Sequence, residues 1–249
     1  MKVSWREFKD IASEHLEHDG AFIYRGQRDA SWVLKTSLHR TSIASSIEAV
    51  KTYVDVILPK VQEPLEAWVG RNWNLKDTYG LAEFLAFIQH NGFPTPLLDW
   101  TFSPYIAAYF AFESINHFHP QNKVVAIYSL NQRDWGERFK QVYDVADFTP
   151  HVSILRPRIV GNHKLALQQG CFTWSNVDDI ESHIRFNEQN GQSFLTKYEL
   201  DVEERPKVMR ELSLMGISAV QLMPSVEAVC KKTLEDLIGL SPLDPSKAQ

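Results

Sequence analysis

Apolar residues recur along the chain at two spacings, and the switch between them marks the elements. Trp5, Phe8, Ile11, Ala12 and Leu16 fall at helical intervals behind Ser4 and Glu7, which have the spacing of a capping box. Gly20 is placed to stop that helix. Ala21 to Tyr24 is a short apolar run that predicts a strand, and it delivers Arg25-Gly26-Gln27 at its end. Trp32 to Leu34 predicts a short pairing segment, and Thr41 or Ser42 a cap for a second helix ending before Pro59. Leu81, Phe84, Leu85 and Ile88 line one face of a third helix that starts near Asp77 and stops at Gly92. Pro94 and Pro96 enforce an extended segment through Leu97 and Leu98 to Asp99. Ser103-Pro104 then supplies a cap and a first-turn proline for a fourth helix, whose buried stripe is Ile106, Ala107, Phe110 and Ala111.

Farther on, Val124 to Leu130 is rich in β-branched and aromatic residues and predicts a strand. Residues 131–162 read as mostly irregular. Cys171 to Trp174 and Phe194 to Leu200 predict two more strands. A helix from Asp201–Glu204 runs toward Met215 and stops at Gly216; Ile217 to Leu222 reads as a late strand and Ser225 to Leu237 as a last helix. The elements interleave without a repeat and without the regular alternation of a doubly wound sheet. The expected fold is α+β, a single domain over residues 1–240, with a mixed or antiparallel central sheet and flanking helices, followed by a polar tail at 241–249.

Composition narrows the function classes. A hydrophobic content of 44% with 12% aromatics excludes general disorder. No apolar run approaches the roughly 20 residues that span a bilayer, and MKVSWREFKD has no apolar signal core, so no membrane and a cytoplasmic location are expected. A formal charge of −5 argues against a protein that coats nucleic acid, yet leaves room for a local basic cleft. Cys171 and Cys230 are too few for a disulfide scaffold and read as ordinary thiols. His15 with His18 and His117 with His119 lack convincing third and fourth ligands, so no metal site is expected. The seven Trp and eight Tyr are assigned to packing rather than to a base-stacking platform.

Three polar segments stand out against these apolar flanks. Residues 24–40 hold Arg25, Arg28, Lys35, His39 and Arg40. Arg25 ends a strand ahead of Gly26, which lets another group approach the backbone closely; there it can grip a phosphate or carboxylate with two parallel hydrogen bonds, or pair with an internal carboxylate. In residues 89–113, Gln89-His90 ends one helix and a proline-stiffened loop sets Asp99, Thr101 and Ser103 before the next. Asp99 can orient a sugar hydroxyl, act as a base, or bond loop amides; Thr101 and Ser103 can bind a ligand or cap the loop; His90 can be an acid/base or a structural helix-end residue. Lying between Leu97-Leu98 and Trp100, Asp99 is expected to be partly buried, with the bracing role favoured. The third segment places Arg156, Arg158, His163 and Lys164 near Gln168-Gln169-Gly170. Arg25, Gln89, His90, Asp99, Thr101, Ser103 and Gln168 are expected to converge on one cleft, with an anion against Arg25.

At these residues the chain resembles a known family. YRGQ, with Trp32 and LHR behind it, is similar to the opening motif of the FRG domain, with Tyr24 in place of its signature Phe. QHNGFPTPLLDWTFSPYIAAYFA resembles that family's central motif closely. Gln168, Gly170 and Phe172 resemble its later Q-x-G-x-F motif, and LMGISAVQLMP its closing segment. The resemblance implies a setting among bacterial and phage toxins or defence effectors. It also implies a loose likeness to the three-part site of ADP-ribosyltransferases. On that likeness Arg25 holds the cofactor, helped by Arg28 and Arg40, while Gln89, His90 and Thr101 complete its binding. Thr101 and Ser103 brace the nicotinamide side, and Gln168 stands where a Glu is expected. A Gln has no charge with which to stabilise an oxocarbenium-like sugar, so that duty passes to Asp99 or another carboxylate.

Two further readings stay open. The same cleft can be a non-catalytic module that binds a nucleotide or a partner, or a nucleotide- or nucleic-acid-processing hydrolase with His90 and Asp99 as acid and base. On the transferase reading NAD is the substrate, and the acceptor is a protein or a nucleic acid.

Overall fold

A computed structural model describes residues 1–41, 47–113, 123–143, 147, 149–156, 163–188 and 191–239. Ser42, His117, His119, Arg158 and the 241–249 tail lie outside the described residues.

The centre is an antiparallel six-stranded sheet, confirming the α+β expectation. Its strands are β1 (Phe22–Gln27), β2 (Leu97–Thr101), β3 (Val124–Asn131), β4 (Val152–Leu155), β5 (Gly170–Ser175) and β6 (Leu195–Asp201), in the spatial order β4-β5-β2-β1-β3-β6. Pairing between β1 and β3 runs from Phe22 opposite Asn131 to Gln27 opposite Ala126. The β2–β5 pairing runs from Leu97 opposite Trp174 to Thr101 opposite Gly170. Between β1 and β2 the ladder is a single pair, Tyr24 opposite Thr101. That short seam at mid-sheet is where the cleft forms.

Side-chain alternation sends the sheet into three apolar clusters. On one face Tyr24, Val125 and Ile127 pack with Trp5, Phe8 and the small residues of a central helix. Beside it on that face, Leu97, Phe172 and Trp174 pack with Phe84, Leu85 and Ile88. The opposite face carries Ile23, Leu98, Trp100, Tyr128, Trp135 and Ile184. Leu97, Asp99 and Thr101 share a face by the two-residue period. Asp99 therefore emerges where one core gives way to the next.

The helices begin where the caps were expected. In α1 (Trp5–Leu16), Ser4 and Glu7 form the full capping box. In α4 (Thr78–His90), Asp77 accepts from the Gly80 N–H. In α5 (Pro104–Phe112), Ser103 accepts from the Ile106 N–H. The remaining helices are α2 (Ile47–Thr52), α3 (Leu58–Val69), α6 (Gln132–Arg138), α7 (His163–Leu167), α8 (Ile180–Phe186), α9 (Arg205–Leu214), α10 (Ala219–Leu222) and α11 (Val226–Gly239).

Three expectations are corrected and a fourth is refined. The second helical segment does not stop at Pro59. A π-helical turn, Tyr53–Ile57, links α2 to α3 without a break, and Pro59 sits in the first turn of α3. Among the described residues of 131–162, α6 and β4 are regular elements within a stretch expected to be mostly irregular. Ile217 to Leu222 is not a strand: Leu222 donates to the Ser218 carbonyl at 3.0 Å in the short helix α10. Trp32 to Leu34 joins no ladder; one of its ties is the Ile180 N–H donating to the Leu34 carbonyl at 2.9 Å.

Candidate functional site

Sequence and packing together explain why a cleft opens beside β1. Gly26 lies under α5, and a Cβ there would stand 1.9 Å from the Ala107 carbonyl oxygen and 2.6 Å from the Ala111 nitrogen. The group that approaches Gly26 is thus the backbone of α5. Ala107, Ala108 and Ala111 are fully buried, and their small side chains allow that approach. With α5 drawn onto β1 and α4 packed beyond β2, a cleft of about 870 Å³ remains between them. Arg25, Arg28, Arg40, Gln89, His90, Asp99, Thr101 and Gln168 all line it, with Lys35 and Lys164. Ser103 does not; its hydroxyl caps α5.

Asp99 is the exposed carboxylate of this cleft. Its side chain is 56% exposed, against the expectation of partial burial. It accepts from Gln89 Nε2 at 2.8 Å, and its other oxygen is 3.9 Å from Arg25 Nη1. Arg25 Nη1 donates instead to the Asp99 main-chain carbonyl at 2.8 Å. Among the described residues no main-chain amide of the loop donates to the Asp99 carboxylate, whose ties are the Gln89 amide and the nearby Arg25 guanidinium. The charge stays available to the cleft. Glu113, the other carboxylate lining it, is paired with Lys231 of α11.

Arg25 is 18% exposed, and its Nε is buried without a hydrogen-bond partner. Burial lowers its pKa below the ordinary guanidinium value while Asp99 pulls it back up. The ion stays charged, since no protein environment deprotonates arginine near neutrality. Burial likewise pushes the His90 imidazole below its usual value; Asp99 opposes the shift and Lys164 adds to it. His90 Nε2 is buried and unpartnered, and the ring meets Phe172 edge-on with centroids 6.3 Å apart. A neutral imidazole here has one nitrogen free to accept or donate.

The hydroxyls near β2 are committed inside the chain. Thr101 is 5% exposed; its Oγ1 donates to the Gln168 carbonyl at 2.7 Å and accepts from the Ser103 N–H at 3.1 Å. The Gln168 amide donates to the Leu222 carbonyl at 3.3 Å. These contacts knit β2, the α7–β5 turn and α10 into one wall.

Sequence reasoning missed two contributors. Thr95, fully buried, donates from Oγ1 to Gln89 Oε1, which fixes the Gln89 amide with its NH₂ toward Asp99. Its position between Pro94 and Pro96 was a signal, because a rigid loop can hold one hydroxyl in a single place. Trp32 was grouped with packing residues, yet it lines the cleft and is 41% exposed. Among the described residues Arg28, Arg40 and Lys164 form no ion pair, whereas Lys35 pairs with Asp178 at 2.5 Å. No group of three His, Cys, Asp or Glu among the described residues is placed to hold a metal ion, and no described helix is long and apolar enough to cross a membrane.

No curated protein and no solved structure matches the chain. A family model does: residues 20–119 match the FRG domain. That segment contains β1, the cationic loop behind it, α4, the proline-stiffened loop, β2 and α5. With the Arg25-Gly26 strand end packed under α5 and the Gln89–Asp99 pair facing Arg25, the chain carries a domain of the FRG family over residues 20–119.

Proposed function

We propose that the cleft binds a nucleotide, NAD in the first place, and that the protein is an ADP-ribosyltransferase-like enzyme acting in the cytoplasm as a toxin or defence effector. The observation that carries this reading is the exposed Asp99 carboxylate in a cleft whose walls supply Arg25, Arg28, Arg40 and Lys164. Clustered cations suit a pyrophosphate, because guanidinium forks match phosphate oxygens. A volume near the upper end of small-molecule pockets suits a dinucleotide.

In the proposed reaction the bond between C1′ of the ribose and the nicotinamide nitrogen breaks, and its electron pair goes to the ring nitrogen. Positive charge develops on the sugar, where Asp99 stabilises it through a fixed negative charge. Gln89, locked by Thr95, keeps that carboxylate in place. The acceptor nucleophile, on a protein or a nucleic acid, forms the new bond to C1′, and its proton passes to the neutral His90. Thr101 and Gln168 shape the wall instead of touching the reacting atoms. That β3 to β6 complete the sheet from outside the matched segment supports a single domain over residues 1–240.

Incubating the protein with NAD and measuring released nicotinamide tests this reading. Release above the uncatalysed rate, with a labelled acceptor, supports it. NAD bound without release leaves the second reading, a non-catalytic nucleotide module. One observation favours that alternative: Gln168 holds the place of a carboxylate, and the Thr101 hydroxyl is already spent on its main chain. No NAD binding at millimolar concentration removes the transferase reading and leaves the module with a nucleotide other than NAD.

A further inference from the structure

We infer that Trp32 is the nucleobase platform of the cleft, so that a ligand's base stacks on the indole while its phosphates meet the neighbouring cations. The inference rests on the nucleotide reading above and adds the residue that recognises the base.

Trp32 stands apart from the other tryptophans that touch the sheet. Trp5, Trp100, Trp135 and Trp174 are buried, and Trp5, Trp100 and Trp135 also place their indole N–H on an acceptor inside the chain. Trp32 is 41% exposed and lines the cleft. Leaving much of an indole in water forfeits about 25 cal/mol for each Å² of apolar surface not buried.

The exposure is not that of a loose loop. Gln27, at the buried end of β1, donates its side-chain amide to the Trp32 carbonyl at 2.7 Å. The Trp32 N–H donates to the Asp29 carbonyl at 3.2 Å. Asp29 in turn accepts from the Ser31 N–H and hydroxyl at 2.8 and 2.7 Å. The turn is held from three sides while its aromatic side chain stays in the cleft. Such a surface is already ordered before a ligand arrives, which lowers the entropy lost on binding.

The neighbours fit a nucleotide. The Arg28 guanidinium lies 4.8 Å from the indole centroid, a cation–π contact, and completes a layered base–indole–guanidinium stack. Arg40 and Arg25 line the same cleft and take the phosphates that follow the base. An aromatic face beside cations is the pairing that recognises a base joined to a phosphate, because every base has a π-face and every phosphate a charge. A simple anion would need the cations and gain nothing from the indole.

Calorimetric titration of Trp32→Leu and Trp32→Phe with ADP, and with inorganic pyrophosphate as the base-free probe, tests the assignment. Trp32→Leu is expected to weaken ADP binding by roughly 5- to 150-fold, the range that base–aromatic stacking supplies. Trp32→Phe, which keeps a ring, should recover most of that loss, and pyrophosphate affinity should follow wild type in both variants. Equal ADP affinity in wild type and Trp32→Leu overturns the platform while leaving the nucleotide reading standing. Equal losses for ADP and pyrophosphate also overturn it, because the indole would then only support the cations. Wild-type protein that binds pyrophosphate but not ADP, or neither probe, removes the nucleotide reading and the platform together.

Discussion

Asp99 combines an oxygen fixed by a side-chain amide with a surface still open to the cleft. A bracing carboxylate would be buried among amides, and its loss would be felt as unfolding. Here Asn keeps the shape and can still accept from Gln89, so Asp99→Asn removes charge and little else. The expected stability change is under about 1 kcal/mol, or a Tm shift of no more than roughly 2–4 °C. ADP affinity should be unchanged or slightly tighter, since a negative charge leaves a cleft that binds anions. Release of nicotinamide from NAD should fall by about two orders of magnitude or more, as expected when a charge acting chiefly in the transition state is lost. A Tm fall well beyond that range, with activity lost in proportion, would return Asp99 to the bracing role.

At the level of elements, the approach of α5 to β1 decides whether the cleft exists. Gly26→Ala puts a methyl into the Ala107 carbonyl and the Ala111 nitrogen, both backbone atoms that cannot rotate away. Either α5 lifts or β1 shifts, and overpacking of this kind costs about 1–3 kcal/mol or more. The expected result is a Tm lower by roughly 2–12 °C and a weakened site. Gly136→Ala in α6 meets nothing within 4 Å and serves as the control, with a neutral or slightly raised Tm. A Gly26→Ala protein that melts with wild type would show that the contact between α5 and β1 is slack. Helix starts were legible in the sequence because caps are local: Ser4, Asp77 and Ser103 each bond an amide within three residues. The extension from Leu97 was legible because two prolines dictate it. Ile217 to Leu222 was not, since a short apolar run suits a strand or a buried helical turn equally. The site was legible as residue types, Arg25 with Asp99 above all. Bonds such as Thr95 to Gln89 join residues six apart around a loop, and nothing in the spacing specifies them. Exposure was the least legible property: Asp99 is open because two cores part beside it, a fact of packing that its apolar neighbours conceal.

Across the whole molecule, charge is divided between an acidic exterior and a cationic cleft. The chain carries a formal −5, while the cleft is lined by Arg25, Arg28, Lys35, Arg40 and Lys164 against Asp99 and Glu113. The two fields act on an anion over different distances. The net acidity is spread over the surface, so salt screens it first, once the Debye length falls to about 10 Å near 0.1 M. The cleft cations lie close to a bound phosphate and are screened only as that length approaches about 3 Å near 1 M. Affinity for ADP should therefore change little up to about 0.1 M salt and then fall, by roughly ten-fold or more toward 1 M. Adenosine, which has the base and no charge, should bind weakly and with no comparable salt dependence, because stacking on Trp32 involves no ion pair. Titrations of both ligands across that range separate the two contributions. An ADP affinity that is flat to 1 M would mean that the rim cations do not touch the phosphates. The buried guanidinium of Arg25, less open to screening than Arg28, Arg40 or Lys164, would then be the anion's main anchor.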